Sequence, residues 1–177
     1  VSFIGCLGDD DFGKEFINLF QKLKINTDFL QINKQSSTRV VNVIRDRLGD
    51  RSFDGFEISE FNFFADEMLD KSLIANNINN LRKQFFNTKY LVTGTNLLAS
   101  PNSAESLYFI LDFAKDFKIK IIIDVNWREI FWDHSNAKED SPFKKVKSFL
   151  NYADILKLAS EEALLFFNTN DPSEISQ

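Results

Sequence analysis

At 177 residues, 44% of them hydrophobic and 27% charged, the chain has the composition of one globular domain with its own core, which argues against a disordered class. No apolar run approaches the ~20 residues that span a bilayer as a helix. A net charge of −5 repels phosphate at long range and so argues against a general nucleic-acid or anionic-membrane binder.

The elements follow in chain order. VSFIGCL, residues 1–7, is an apolar run that reads as a strand; it meets Gly8 and three consecutive carboxylates, Asp9, Asp10 and Asp11. Cys6 lies inside this run, and a lone cysteine offers neither a disulfide pair nor a metal-ligand spacing, so a reducing cytoplasm is the simplest compartment. DDDFGKEFINLFQKLKI then sets Phe12, Phe16, Leu19, Phe20 and Leu23 on one stripe of an amphipathic helix. One of the aspartates caps that helix and the others favour its positive end. TRVVNVIRD and RSFDGFEIS alternate as strands around the turn RLGD, so residues 38–59 read as a β-hairpin.

A polar helix is expected over residues 73–86, and KYLVTG is a short buried strand ending in Gly94. SPNSAESLYFILDFAKDF is a helix with Ser100 as cap, Pro101 in its first turn, and Leu107, Ile110, Leu111 and Ala114 on one face. KIIIDVN is a further strand, its apolar core suited to a sheet covered on both faces. A helix over 142–152, the strand ADILKLA and the helix SEEALLFF complete the run. NTNDPSEISQ has the cap and first turn of another helix, and neither an initiator Met nor a leader precedes Val1. The expectation is an excerpt of a longer protein, incomplete at both ends.

Strands alternating with helices imply an α/β fold with a mostly parallel sheet and helices on both sides. Ligands in such folds bind beyond the carboxyl ends of the strands, here around residues 5–9, 93–96, 124–128 and 157–162. The inserted hairpin suits a cover over that crevice.

Two strand ends carry chemistry. In IIIDVNWREIFW, Asp124, Asn126 and Arg128 alternate at the end of a strand, bringing a carboxylate, an amide and a guanidinium toward one crevice. Arg128 can clamp hydroxyl or phosphate oxygens and Asn126 suits sugar hydroxyls; equally, Asp124 and Arg128 can pair to brace a loop. In ILKLASEEA, Lys157 can neutralise phosphates and Glu162 can hold a hydrated magnesium ion, or simply favour the positive end of its helix. His134 has no Ser or Cys partner at a recognisable spacing and reads as a surface-loop residue.

Taken in order, FIGCLGDDDFG, TRVVNVIRDRLGDRSFDGF, VTGTNLL, DVNWREIFW and ADILKLASEEA resemble the ribokinase-like (PfkB) carbohydrate kinases, most closely the fructokinase branch. The resemblance covers nearly the whole chain and implies a ribokinase-like three-layer sandwich with an inserted hairpin lid, residues 1–177 being part of such a domain and about 27–60 its lid and edge strands. It implies ATP- and magnesium-dependent (Mg2+) phosphorylation of a sugar hydroxyl. Asn126, Arg128, Arg39 and Phe53 would then serve the sugar, Lys157 and Glu162 the nucleotide, and Glu162 the metal through water. Ala159 stands where ribokinases carry Asn in N-x-x-E. The family's glycine-rich G-G-x-x-x-N segment would precede Val1, and its D-T-x-G-A-G-D loop, with the aspartate base, would follow Gln177. Small-molecule sugar and ATP are the implied partners, with a second copy paired through the lid. A kinase-like protein that only binds a sugar or a partner is the main alternative. A phosphoacceptor receiver domain, suggested by the acid run, Thr93 and Lys157, lacks an isolated strand-end Asp after its first helix.

Overall fold

The structure, a computed structural model, describes residues 1–47, 49, 51–57, 59, 61, 63–132 and 141–175. The reading of His134 therefore lies outside the described residues. The chain forms two compact units, Val1–Lys71 and Ser72–Gln177.

The first unit contains β1 (Ser2–Gly8), α1 (Asp11–Lys22), β2 (Asn26–Asn33), β3 (Val41–Arg45) and β4 (Arg51–Phe56), then a 3-10 turn, Ala65–Met68. β1 and β2 pair in parallel, with Ile4 beside Phe29 and Gly8 beside Asn33. β3 and β4 are the expected antiparallel hairpin, with Val43 opposite Phe53. Gly49, in its turn, takes φ of +91°, a region open to glycine.

The acidic opening motif is chiefly a structural knot. Asp10 caps α1: its Oδ1 accepts the Gly13 N–H at 2.7 Å and its Oδ2 accepts the Thr38 N–H at 2.6 Å. The Thr38 hydroxyl in turn accepts the Gly8 N–H at 2.9 Å. The approach is so close that a Cβ on Gly13 would collide with the Gly8 carbonyl, and one on Gly8 would lie 2.6 Å from the Thr38 nitrogen. Glycine at both positions follows from this crowding.

The expected apolar stripe of α1 is only partly covered. Phe20 is buried, its ring tilted against Phe3 with centroids 4.8 Å apart, but Phe12, Phe16, Leu19 and Leu23 are exposed. A sheet of two strands is too narrow to cover four more large side chains.

α2 (Lys71–Asn76) starts at the last residue of the first unit and leads into α3 (Ile78–Phe86) of the second, so the single helix expected over 73–86 breaks at Asn77, whose ψ of +27° is not helical. The second unit continues through β5 (Tyr90–Gly94), α4 (Pro101–Asp116), β6 (Lys120–Asp124), α5 (Pro142–Leu150), β7 (Ile155–Lys157), α6 (Ser160–Phe167) and α7 (Pro172–Ile175). The three strands form a parallel sheet in the order β5-β6-β7. Ile121 and Ile123 of β6 join Leu107 and Leu111 of α4 and Val146 and Phe149 of α5 in one core. On the opposite face Tyr90, Val92 and Ile155 are exposed, so among the described residues the sheet is covered on one face rather than the expected two, and β5 is not a buried strand.

Candidate functional site

Parallel register puts the carboxyl ends of three strands side by side. Gly94 of β5 pairs with Asp124 of β6, and Asp124 with Lys157 of β7. The Lys157 Nζ lies 2.7 Å from Asp124 Oδ2, so Lys157 serves Asp124, where the sequence offered Arg128 as a bracing partner. Lys157 is well exposed and Asp124 partly so, and such a pair contributes about 0–1 kcal/mol.

Beyond Asp124 the chain turns sharply. Val125 is fully buried; its N–H donates to the Lys157 carbonyl at 3.0 Å and its carbonyl accepts the Thr95 hydroxyl at 2.6 Å. Asn126 then adopts φ of +42°, the left-handed region that asparagine enters more readily than other side-chain-bearing residues. The Trp127 N–H donates to Glu162 Oε1 at 2.6 Å. Trp127 stacks on Trp132 and Phe143, with centroids 5.0 and 5.2 Å away, and meets the edge of Phe166. Arg128 donates from Nη1 to the Trp127 carbonyl at 2.7 Å. Asn126 and Arg128 thus leave β6 from one turn whose backbone is held on both sides.

Glu162 is nearly buried, 9% exposed. Its second oxygen accepts the Ala159 N–H at 2.8 Å, the return half of a capping box. Ala159 has no side-chain oxygen to complete the box, so Glu162 alone ties the start of α6 to the exit of β6.

The sequence-predicted residues therefore fall in two places. Asn126, Arg128, Lys157 and Glu162 gather in the second unit at the ends of β6 and β7. Arg39 and Phe53 lie in the first unit. The Arg39 guanidinium lies over both Phe56 and Phe64, 4.6 and 4.1 Å from their centroids, and its donors reach Asp66 at 3.0 Å and Glu67 at 2.9 Å. Phe53 is half-exposed on the hairpin. A cavity of about 360 Å³ in that unit is lined by Asp9, Lys34, Ser36, Glu57 and Ser59 among others, but by neither Arg39 nor Phe53. Thr95 and Asn96 were not singled out by sequence reasoning beyond their strand-end position. Yet Thr95 grips the turn, and the buried Asn96 Oδ1 has no hydrogen-bond partner among the described residues.

Comparisons with known proteins identify the family of the chain. The profile of the pfkB family carbohydrate kinases matches residues 1–177 from end to end. The chain belongs to that family. Among curated relatives it is 26% identical to a probable fructokinase-5 of Arabidopsis thaliana over 91% of the chain and 45% of that protein. It is 30% identical to a 5-dehydro-2-deoxygluconokinase of Mesomycoplasma hyopneumoniae over 82% of the chain and 40% of that protein. A crystal structure of Xylella fastidiosa fructokinase with bound ATP superposes with a TM-score of 0.77 at 23% identity, over 95% of the chain and 47% of that structure. The fold is thus ribokinase-like, and the chain spans less than half the length of each of these proteins.

Proposed function

We propose that the protein carrying this chain transfers the γ-phosphate of ATP to a hydroxyl of fructose or a closely related sugar. The observation that carries the reading is the strand-end constellation in a pfkB-family chain: Asn126 and Arg128 on a held turn, beside Lys157 and Glu162. An amide and a guanidinium suit sugar hydroxyls and the transferring phosphoryl group, and a lysine near a strand end suits nucleotide phosphate. Relatives named for fructose and for 5-dehydro-2-deoxygluconate share the resemblance, so both sugars belong in the assay.

Magnesium would neutralise charge on the phosphates. Among the described residues no three His, Cys, Asp or Glu side chains gather to hold a metal ion directly. Glu162 fits a magnesium ion through water, because each of its oxygens already takes one backbone N–H and keeps a lone pair for a second donor. In this reading Arg39 and Phe53 shape the sugar side of the hairpin, with Arg39 acting through Phe56 and Phe64. The exposed Val43, Ile44 and Phe53 suit pairing with a second copy through the lid. The compartment of this reading is the cytoplasm: Cys6 is buried, and burial, with the charge of Asp66, pushes its thiol up to about 11, so it stays an inert thiol. No described helix is long and apolar enough to cross a membrane.

A coupled ATP-consumption assay on the full-length gene product, with fructose, 5-dehydro-2-deoxygluconate and other hexoses, tests the reading. Sugar-dependent turnover that needs magnesium is expected. Sugar binding without turnover would instead establish the kinase-like binding protein. Residues 1–177 alone are expected to be inactive, because the family's D-T-x-G-A-G-D motif, which carries the aspartate base, does not occur in them, and Asp124 in the strand-end crevice is paired with Lys157.

A further inference from the structure

We propose that Thr95 and Glu162 are positioning residues that jointly set the backbone of Asn126, and through it the presentation of Asn126 and Arg128. A left-handed residue other than glycine needs its surroundings to hold it. Here the two peptide groups flanking Asn126 are each gripped by a buried side chain. The peptide before it offers the Val125 carbonyl to the Thr95 hydroxyl, which is fully buried. The peptide after it offers the Trp127 N–H to the Glu162 carboxylate. Both contacts are 2.6 Å long and join residues 30 and 35 positions apart. Rotating either peptide plane would leave a buried polar group unpaired.

Neither contact is a local habit of its residue type. A threonine after a strand ordinarily bonds a carbonyl or N–H within a few residues, whereas Thr95 reaches from the exit of β5 to the exit of β6. A glutamate in the first helical turn ordinarily returns to its own N-cap. Glu162 does that with one oxygen, which fixes its rotamer, and spends the other on Trp127. Three element ends, those of β5, β6 and α6, therefore meet at one asparagine.

The kinetic part of the test rests on the sugar-kinase reading; the exchange part does not. In the full-length gene product, Thr95→Val keeps the core volume and deletes the hydroxyl, Thr95→Ser keeps the hydroxyl, and Glu162→Ala removes both acceptor oxygens. Hydrogen exchange at the Trp127 amide and the sugar KM are measured in each. Thr95 does not touch the Trp127 amide, so a faster exchange there in Thr95→Val reports the shared turn. The expectation is about tenfold faster exchange and about tenfold higher sugar KM in Thr95→Val, both restored in Thr95→Ser, with Glu162→Ala moving the same two readouts. Wild-type exchange at Trp127 in a folded Thr95→Val would overturn the proposal, whatever its melting temperature. Wild-type exchange in Glu162→Ala would overturn it too, and that variant decides if Thr95→Val does not fold. If the wild type phosphorylates no sugar, the kinase reading fails and the exchange measurements alone decide this inference.

Discussion

Arg128 donates from Nη1 to the Trp127 carbonyl of its own turn, and a planar guanidinium can clamp sugar-hydroxyl or phosphoryl oxygens. In the full-length protein Arg128→Ala should lower kcat/KM for the sugar about ten- to hundredfold, the equivalent of one charge-assisted contact of roughly 1.5–3 kcal/mol, and leave the fold intact. Unchanged kinetics would reduce Arg128 to a brace for the turn. Asp10 belongs to stability instead. Burial pushes its carboxyl up, but hydrogen bonds from Gly13 and Thr38, with Lys14 nearby, together hold it below the ordinary carboxylate range. A carboxylate whose folded value is depressed adds stability that is present above its unfolded value and lost as pH falls through its folded one. Asp10→Ala should therefore destabilise the chain by about 1–3 kcal/mol at pH 7, the cost of a helix cap plus an unpaired Thr38 N–H. Urea denaturation should show that gap narrowing as the pH is taken below the ordinary carboxylate range. A gap that is constant with pH would mean that Asp10 acts only through its shape.

At the level of elements, what the sequence revealed and what it hid divide along the range of the interactions. The strands other than β2, the hairpin around Gly49, the cap before α1 and the buried face of α4 are set by local pattern, and they were legible; β2 (Asn26–Asn33), with its mixed polar and apolar residues, was not read from pattern. The exposure of Phe12, Phe16, Leu19 and Leu23 was not, because a helix stripe shows which face is apolar and not how wide a sheet lies against it. The break at Asn77 left no proline or glycine to announce it. At the candidate site the strand-end residues could be named from DVNWR and ASEE. The grip of Thr95 and the second duty of Glu162 could not, since bonds between residues 30 or more apart carry no local signature. The half-bare sheet has its own consequence. Val92, Ile122 and Ile155 stand in one cross-strand row, and Val92 is 66% exposed. Val92→Thr keeps the β-branched shape and removes an exposed methyl, so it should raise the solubility limit of residues 1–177 with a stability change within about 0.5 kcal/mol. A fall in melting temperature of several degrees would show that this row is packed after all.

For the whole molecule, the division into two units predicts how it unfolds. Among the described residues the first unit buries six apolar side chains, Cys6, Leu7, Phe20, Phe29, Ala65 and Leu69, while the second buries nineteen. Conformational entropy is lost in proportion to length, so a unit of 71 residues with so few buried apolar side chains is the weaker of the two. Its exposed phenylalanines on α1 add nothing to offset that. The tryptophans, Trp127 and Trp132, both belong to the second unit and stack at 5.0 Å, so their fluorescence and near-ultraviolet circular dichroism report that unit alone. In urea, the far-ultraviolet signal of residues 1–177 should therefore fall in two steps, with the tryptophan signals unchanged through the first and lost in the second. Coincident transitions by both probes would show that the two units unfold as one cooperative body.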